Sequence, residues 1–347
     1  MSDRKIPPQR RAVTRADVAR YAGVSTAVVS YVINKGPKPV APQTAARVRE
    51  AIDLLNYQPN INAQALRRGT TEMIGLVLSD PSNPFFTEFA AAIGGEAFGY
   101  GHALVIAAAG GTIDTEATLI EDLVRRQVDG LIVASVSARP DLLIRRLNRN
   151  IPIVWIDAPG AVPGYASVGC DGRRAAAMAV EHLTGVHNHG TVGVVVGGVD
   201  SPNGDPRERG WEQALRAAGL EQGPIARVDW SRDGGYEGGH RLLSLRNPPT
   251  AIFASSDLQA VGLLRAAHER GLRVPEDLAV VAFDGTKESE FCWPPLTVVA
   301  QPIAEMARTA VRLVLDEDRP ESYEQFVGEL LIRQSCGCQR AQGRFDQ

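Results

Sequence analysis

The sequence predicts an α/β protein in two parts, a short helical segment at the N-terminus and a large parallel α/β core. Two observations support this division. Residues 1–68 carry 12 lysines and arginines and four acidic residues, a net charge of +8, whereas the rest of the chain carries 25 and 36, a net charge of −11. Near Met73 the hydrophobic pattern changes from helical periodicity to short apolar runs separated by helical stretches. A basic head on an acidic body favours a nucleic-acid-binding module joined to a second function.

Residues 13–58 show helical periodicity in three short stretches. Thr14 and Asp17 have the spacing of a capping box, and Ser25 is placed to cap a second helix. A third helix begins near Pro42, since proline is favoured in a first turn. The apolar stripes are Val18, Ala19 and Ala22, then Val28, Val29, Val32 and Ile33, then Val48, Ala51, Ile52 and Leu55. Three short helices with a tight turn between the first two predict a helix-turn-helix domain.

The segments on either side lack this pattern. Residues 1–12 are basic and polar, which is typical of a disordered arm, and residues 59–71 form a basic linker that we treat as a hinge. We place the core at residues 72–340 and a short tail at 341–347. The chain after the last predicted strand, Gln334–Gln347, is short and polar with no heptad of leucines, which favours a dimer over a tetramer joined by a coiled coil.

In the core, apolar β-branched runs alternate with amphipathic helices. The runs lack in/out alternation, which indicates strands buried on both faces of a parallel sheet. The predicted strands are Ile74–Leu78, Ala103–Ala107, Gly130–Val133, Ile153–Ile156, Val192–Val196, Ala251–Phe253, Leu278–Phe283 and a last strand at Phe326–Ile332. The predicted helices include Thr115–Arg126, Arg173–Leu183, Glu208–Ala218, Leu258–Arg270 and Ile303–Leu315. These patterns fit one large domain or two stacked half-domains.

The sequence offers little support for catalysis. It contains no phosphate-binding glycine motif, no G-x-S-x-G and no H-E-x-x-H, so we expect no enzyme and no cofactor. His187 and His189 sit at a predicted helix end, where histidine is ordinary. No cysteines have C-x-x-C spacing, so we expect no metal, and we interpret Cys336 and Cys338 as incidental surface thiols, with a redox role as the alternative. The N-terminus has no apolar signal region, so we expect a cytoplasmic protein with reduced thiols.

A helix-turn-helix places the start of its second helix in the major groove of double-stranded DNA. The residues that this geometry turns toward DNA are Ser25, Thr26, Ala27, Ser30 and Tyr31. The residues within reach of phosphates are Thr14, Tyr21, Asn34, Lys35 and Lys38. Phosphate contacts set affinity and salt dependence, whereas contacts to base edges set sequence preference.

Further motifs extend along almost the whole chain. In the head they are Thr14–Ser25, Val28–Ser30, Val32–Asn34, Asn56–Asn60 and Ala63–Leu66. In the core they are Ile74–Val77, Asn83–Phe86, Arg207–Gly210, Ser256–Asp257, Phe283–Gly285 and Pro295–Thr297. Together these residues resemble the LacI/GalR family of transcriptional regulators. The core motifs alone are shared with periplasmic sugar-binding proteins.

The resemblance implies a homodimer in which each head reads one half-site of a near-palindromic operator. It also implies that the hinge becomes a helix in the minor groove, contacting DNA through Asn60, Ala63 and Leu66. Leu66 matches the family's leucine wedge, which kinks DNA; the alternative is that it packs against the core. The chain departs from the family at Val28, where threonine is common, and at Tyr31, where a polar or basic residue is common.

Differences from the family in the second helix are expected to change which operator sequence the protein prefers. Ala27 offers only a methyl group, which suits contact with a thymine methyl. We expect Thr26 and Tyr31 to contact bases, and the operator of a relative does not transfer to this chain.

For the core, the resemblance implies a type I periplasmic-binding fold with two subdomains. Such a fold binds its ligand where the carboxyl ends of the strands meet. The effector contacts implied are Phe85, Asp157, Arg207, Trp230, Ser256, Asp284 and Gln301. We expect Asp257 to cap a helix instead.

The chemistry of these side chains suggests the effector. Carboxylates accept hydrogen bonds from hydroxyl groups, an arginine donates in a fixed fork, and an indole offers an apolar face. The set favours a polyhydroxylated effector such as a sugar. One alternative is a purine or nucleoside stacked on Trp230 and the two phenylalanines. The other is a ligand-binding receptor without DNA activity, which the basic head opposes. We therefore predict an effector-controlled DNA-binding regulator, a repressor.

Overall fold

The computed structural model describes residues 13–34, 38–58, 65, 69–110, 113–134, 151–198, 204–318 and 321–338. The chain divides into two compact units, Met1–Thr71 and Glu72–Gln347. Within the described ranges, no helix has the length and apolarity that a membrane crossing requires.

The described part of the first unit is helical. Its helices are α1 (Arg15–Ala22), α2 (Thr26–Asn34) and α3 (Pro42–Leu55). The predicted capping box is confirmed: the Thr14 hydroxyl and backbone N–H both donate to the Asp17 carboxylate, and the Asp17 N–H donates to Thr14 Oγ1. Gly23, at φ 66°, ends α1 in the left-handed region that suits glycine. Ser25 Oγ accepts the N–H of Val28 at 3.3 Å, so a tight turn leads directly into α2.

A small core joins the three helices. Val18, Val29 and Val48 contribute one fully buried side chain from each helix, and Tyr57 covers them after α3 ends. Each buried valine contributes about 1.5–3 kcal/mol. Val28, which the sequence placed on the apolar stripe, is only half-buried because it lies in the first turn of α2, at the edge of the core.

The second unit contains two six-stranded sheets. Their strands are β1 (Met73–Leu78), β2 (Ala103–Ala108), β3 (Gly130–Ala134), β4 (Ile153–Ile156), β5 (Ala166–Cys170), β6 (Val192–Val196), β7 (Ile225–Arg227), β8 (Ala251–Ala254), β9 (Ala279–Asp284), β10 (Thr297–Ala300), β11 (Tyr323–Phe326) and β12 (Glu329–Leu331). The order is β11-β5-β4-β3-β1-β2 in one sheet and β12-β10-β9-β8-β6-β7 in the other. The described pairings are parallel except that of β12 with β10, so the predicted parallel α/β core with two subdomains is confirmed.

Helices cover both sheets. They are α4 (Pro84–Gly99), α5 (Ile113–Arg125), α6 (Gly172–Glu181), α7 (Pro206–Ala217), α8 (Arg232–Leu243), α9 (Asp257–Glu269), α10 (Lys287–Phe291) and α11 (Ile303–Val314), with a π-helical turn at His182–Val186 after α6. The predicted helices lie within three residues of these bounds. The helix α8 was not predicted because it is rich in glycine. Its Gly235 lies against the backbone of Gln259 in α9, where an added Cβ would come within 2.1 Å of the carbonyl oxygen.

The prediction of one last strand at Phe326–Ile332 was wrong. The segment divides into β11, which extends the first sheet beside β5, and β12, which pairs with β10 in the second sheet. Gly328 lies between them, where a Cβ would come within 2.9 Å of the Ala300 carbonyl oxygen. The chain therefore crosses from one subdomain to the other here, as it also does after β5 and after β10.

Candidate functional site

The first turn of α2 is exposed on the surface of the head. Ser25, Thr26 and Ala27 are exposed, and the side chain of Tyr21 in α1 is 60 % accessible to solvent. Ser25 also caps α2, so its hydroxyl has a structural role. Thr26 and Ala27 have no such role in the described contacts, which leaves them available to a partner.

Other predicted DNA contacts are partly engaged within the head. Asn34 donates through Nδ2 to the Ser30 carbonyl oxygen at 2.9 Å and lies 3.2 Å from Ser30 Oγ. The Thr14 hydroxyl is held by Asp17 at 2.6 Å, and Tyr31 is half-buried. Lys38 is exposed. Four predicted contacts lie outside the described residues: Lys35, Asn60, Ala63 and Leu66.

In the core, Arg207 stands at the start of α7 and is held by the residue that caps this helix. Asp205 accepts the Arg207 backbone N–H at 2.7 Å and pairs with its guanidinium through Nε and Nη2, each at 2.9 Å. Nη1 donates to the Ser255 carbonyl oxygen at 3.0 Å. Burial disfavours the charge on Arg207, but Asp205, together with the negative charges of Asp284 and Asp157, outweighs burial and raises the arginine pKa. This fork-to-fork pair fixes the orientation of the guanidinium.

Trp230 lies against this arginine. The guanidinium carbon is 4.2 Å from the centre of the Trp230 ring and 5.1 Å from that of Phe283. The indole also packs against Gly197, where an added Cβ would come within 2.1 Å of the ring. Cation–π contacts of this kind become stronger when water is excluded, so the three side chains form one rigid wall.

Asp284 and Gln301 form a second polar pair. Gln301 Nε2 donates to Asp284 Oδ1 at 2.9 Å, and Gln301 Oε1 has no hydrogen-bond partner among the described residues. Asp284 ends β9 with φ 115°, and Asp157 follows β4 with φ 56°. These are left-handed conformations that a non-glycine residue adopts at a cost and that cluster at functional sites.

The acidic groups influence one another across the two subdomains. Desolvation raises the pKa of Asp157 to about 6, against the attraction of Arg207, and Asp205 raises it further. The Asp157 side chain is nonetheless accessible to solvent, as expected on the wall of an open cleft. Burial and the charge of Asp257 raise the pKa of Asp284 well above its usual value. Asp157 belongs to the first subdomain and the other acids to the second, so Asp157, Arg207 and Asp284 lie near one another between the two subdomains.

Ser256, and not Asp257, caps α9. Ser256 caps α9 by accepting the Gln259 N–H at 3.2 Å, so the cap prediction for Asp257 was wrong. Asp257 Oδ2 instead accepts the backbone N–H and the hydroxyl of Thr286, both at 2.7 Å. Burial raises the pKa of Asp257 to about 7, in spite of the hydrogen bonds from Thr286.

The structure does not bring Phe85 to the other predicted contacts. Phe85 is 2 % exposed and belongs to the hydrophobic core of the first subdomain. Its ring centre lies 5.3 Å from that of Phe86 and 5.7 Å from that of Phe89. The sequence could not distinguish the two adjacent phenylalanines, and the half-buried one is Phe86.

The sequence did not predict the residues that position Arg207. Asp205 precedes a proline at the start of a helix, which is a recognisable capping signal. Ser255 and Gln259 have no such signal because their contacts are tertiary. The Ser255 hydroxyl donates to Gln259 Oε1 at 2.8 Å and accepts the Gly197 N–H at 3.2 Å, which ties the ends of β6 and β8 beside the cleft.

Comparison with known proteins identifies the family. Residues 14–60 match the model for bacterial regulatory proteins of the lacI family, and residues 172–336 match a periplasmic binding protein-like domain. The HTH-type transcriptional repressor PurR of Serratia proteamaculans (strain 568) is 33% identical over 307 residues, which are 87% of this chain and 89% of that protein. The chain belongs to the LacI family. The PurR of Aliivibrio salmonicida (strain LFI1238) is 31% identical over 91% of this chain and 96% of its own length.

Solved structures of transcriptional regulators share this fold. The lac repressor dimer bound to operator and the anti-inducer ONPF superposes with a TM-score of 0.84 at 27% identity, covering 94% of this chain and 99% of that one. A complex of the transcriptional regulator CelR with cellobiose gives 0.68 at 30% identity, covering 93% and 99%. The predicted family is thereby confirmed, and this LacI-family chain is a DNA-binding transcriptional repressor.

Proposed function

We propose that this repressor binds its operator as a homodimer and that a purine base or nucleoside, bound in the core cleft, controls its affinity for the operator. We infer the effector site from the group of side chains around Arg207. One subdomain supplies Asp157, and the other supplies a guanidinium, an indole and the Asp284–Gln301 pair. Such convergence of polar groups from two subdomains is typical of a ligand cleft.

The hydrogen-bonding capacity of the cleft favours a ligand that donates. Asp157 and Gln301 Oε1 offer acceptors, while Asp205 and Ser255 already occupy most of the Arg207 fork. A purine supplies ring N–H or amino donors to these acceptors, and because Arg207 and Gly197 already contact the Trp230 ring, its flat ring would meet the edge of the indole. Relatives named PurR, 31–33% identical over most of the chain, support the same class.

A sugar is the second candidate. Its hydroxyl groups would donate to the same acceptors, and the CelR–cellobiose complex, at 30% identity, shows that a disaccharide occupies a protein of this fold. Two groups already contact Trp230, namely Arg207 and Gly197. A ligand that needs a free indole face must displace the arginine, whereas a ligand that binds at the ring edge need not.

The connections between the two subdomains of the core can couple effector binding to operator binding. The two subdomains are joined by three crossings of the chain, and Glu88 in α4 accepts the backbone N–H of Lys287 in α10 at 2.7 Å across the cleft. A ligand held by Asp157 and Arg207 would stabilise the closed arrangement. Closure would in turn alter how the two hinges of a dimer meet DNA, and operator DNA must alter effector affinity by the same factor.

The test uses the full-length protein and DNA from the promoter regions next to its own gene. Fluorescence anisotropy at low salt should reveal a fragment bound far more tightly than a scrambled fragment of the same length. Calorimetry with guanine, hypoxanthine, adenosine and cellobiose then identifies the effector class. Binding of cellobiose alone would exclude the purine proposal while leaving the repressor intact. Absence of any preferred fragment, with or without these ligands, would count against the operator proposal.

A further inference from the structure

A second polar cluster lies away from the cleft, where the C-terminal segment meets the end of α6. It consists of His182, His187, Cys336 and Cys338, whose ligand atoms all lie within 4.8 Å of one another. Cys336 Sγ is 3.3 Å from His182 Nε2. Cys338 Sγ is 3.6 Å from His182 Nε2 and 3.3 Å from His187 Nε2.

We propose that these four side chains bind one zinc ion in a His₂Cys₂ site. Zinc is held tetrahedrally with bonds of about 2.3 Å to sulfur and about 2.0–2.1 Å to nitrogen, so its ligand atoms are about 3.4–3.8 Å apart. The three measured separations fall close to that range. Two thiolates and two imidazoles select zinc over magnesium or calcium, which prefer oxygen ligands. Four protein ligands close the coordination sphere, as in structural zinc sites.

A π-helical turn brings the side chains of His182 and His187 together. Residues five apart on an α-helix point about 140° away from each other, since each residue turns about 100°. The chain from His182 to Val186 is instead a π-helical turn, whose i→i+5 pattern brings such residues together. The ring centres of His182 and His187 are 5.0 Å apart. Short π-helical segments are frequent at functional sites.

The backbone conformation and hydrogen bonds of the neighbouring residues also fix the position of the two cysteines. Gly337 lies between them at φ 100°, a backbone conformation that suits glycine and reverses the chain. Before it, Ser335 donates to the Val280 carbonyl oxygen at 2.6 Å and accepts the Thr297 N–H at 2.8 Å. The segment that carries Cys336 is therefore attached to β9 and β10 before any metal binds.

The Thr297 hydroxyl group donates a hydrogen bond to the sulfur of Cys336. Thr297 Oγ1 accepts the Arg333 backbone N–H at 2.9 Å, which leaves its own hydrogen directed at Cys336 Sγ, 3.1 Å away. A hydrogen bond to a ligand atom orients it and tunes the metal. Since a hydroxyl donor favours a thiolate acceptor, this contact matches a metal-bound cysteine.

The cluster corrects two expectations from the sequence. Cys336 is 1 % exposed and belongs to the hydrophobic core of the second subdomain, so it is not a surface thiol. The histidine that partners His187 is His182, whereas His189 Nδ1 lies 3.0 Å from the Thr250 hydroxyl. Because the histidines and cysteines come from distant parts of the chain, the absence of a C-x-x-C motif did not exclude a zinc ligand set.

The experiment uses full-length protein without a histidine tag, produced in medium supplemented with zinc. Elemental analysis after dialysis should give about one zinc per chain, as for a closed structural site. The metal-free protein should bind Co²⁺ with the intense visible bands of tetrahedral cobalt and a thiolate charge-transfer band. Cys338→Ser and His187→Gln should each lose these bands and the bound zinc. Cys292→Ser and His268→Gln, matched changes elsewhere in the core, should retain both.

Chelation provides a second readout that does not depend on the variants folding identically. Removal of zinc from the wild-type protein should lower its thermal midpoint, and added zinc should restore it, because a ligand that binds only the folded state stabilises it. The proposal is overturned if the protein neither retains zinc nor binds Co²⁺ tetrahedrally. A Cys336–Cys338 disulfide in protein isolated without reductant, detected by mass spectrometry, would replace it with a redox assignment.

Discussion

The guanidinium of Arg207 is held by the Asp205 carboxylate at 2.9 Å through two nitrogens and lies 4.2 Å from the centre of the Trp230 ring. One side chain thus has its hydrogen-bonding edge and its flat face engaged by separate partners. This arrangement fixes where a ligand meets a positive charge in the cleft. It also predicts that a residue of the same charge but different shape will not replace the arginine.

The first prediction concerns Arg207→Lys. Lysine keeps the charge beside Asp205 but loses the fork and the flat contact with Trp230. We expect effector affinity to fall about 10- to 100-fold, since hydrogen bonds to charged groups contribute about 1.5–3 kcal/mol. Operator affinity without effector should be unchanged. Calorimetry and operator titrations measure the two effects. Arg216→Lys, at an exposed position of the same helix, is the control, and equal losses in both variants would refute the assignment.

The second prediction is a pH dependence from Asp157, whose pKa desolvation raises to about 6. A ligand that donates to this carboxylate binds the ionised form, so its affinity should fall about tenfold per pH unit below about 6. Because the folded protein holds this proton more tightly than the unfolded chain does, the same titration lowers stability as pH rises from 3.8 toward 6.

Calorimetry across this range checks the effect, with Asp157→Asn as the variant. The variant should bind more weakly at neutral pH and lose the step near pH 6. Asp257 has a pKa raised to about 7, which is close to that of Asp157, but its carboxylate is bound to Thr286. Its effect on the pH dependence of binding should therefore remain in the variant. A step near pH 6 that survives in Asp157→Asn, as distinct from one near pH 7 due to Asp257, would assign the titration to another group.

The sequence could predict the elements whose signals are local. Thr14 and Gly23 set the bounds of α1 through capping and a left-handed turn, and Pro42 marks the start of α3 as a first-turn proline. Strand β7 is only three residues long, too short for a pattern. Helix α8 contains Gly234, Gly235, Gly238 and Gly239, which disfavour a helix by about 1 kcal/mol each relative to alanine. Its contact with α9 requires Gly235 and Gly239, and that contact is tertiary.

The same distinction applies to the cleft. Asp157, Arg207 and Asp284 could be placed from strand ends and family motifs, and they do influence one another. The burial of Phe85 could not be placed, because it depends on which neighbours the side chain meets after folding. The cap role of Ser256 is local, since its hydroxyl accepts the Gln259 N–H three residues on, and the S-x-x-Q spacing that signals it was overlooked. The zinc cluster joins residues more than 150 positions apart, a separation at which sequence spacing carries no information.

The third prediction concerns the bond across the cleft from Glu88 to the Lys287 N–H. Glu88→Ala removes the acceptor and should shift the core toward the open arrangement. We expect effector affinity to fall about 2- to 10-fold, from a net hydrogen bond of about 0.5–1.5 kcal/mol, and the radius of gyration without ligand to rise in small-angle scattering. Glu88→Gln retains an acceptor oxygen and should behave nearly as the wild type.

Glu96→Ala is the control for this effect. Glu96 lies on the same helix and pairs with Arg308 at 3.4 Å within the first subdomain, so its loss should leave the cleft unaffected. If both alanine variants change the scattering equally, the effect comes from α4 and not from the contact across the cleft.

The last prediction concerns the head. Thr26 is exposed in the first turn of α2, and Thr26→Ala should lower operator affinity by about 1–3 kcal/mol, the range for one specific base contact. Affinity for non-operator DNA and the salt dependence of binding should be unchanged, since threonine neutralises no phosphate. Fluorescence anisotropy at several salt concentrations measures all three. Gln43→Ala, exposed at the start of α3, should alter none of them. A loss that is equal on operator and non-operator DNA would instead make Thr26 a backbone contact and leave Tyr31 as the candidate for base recognition.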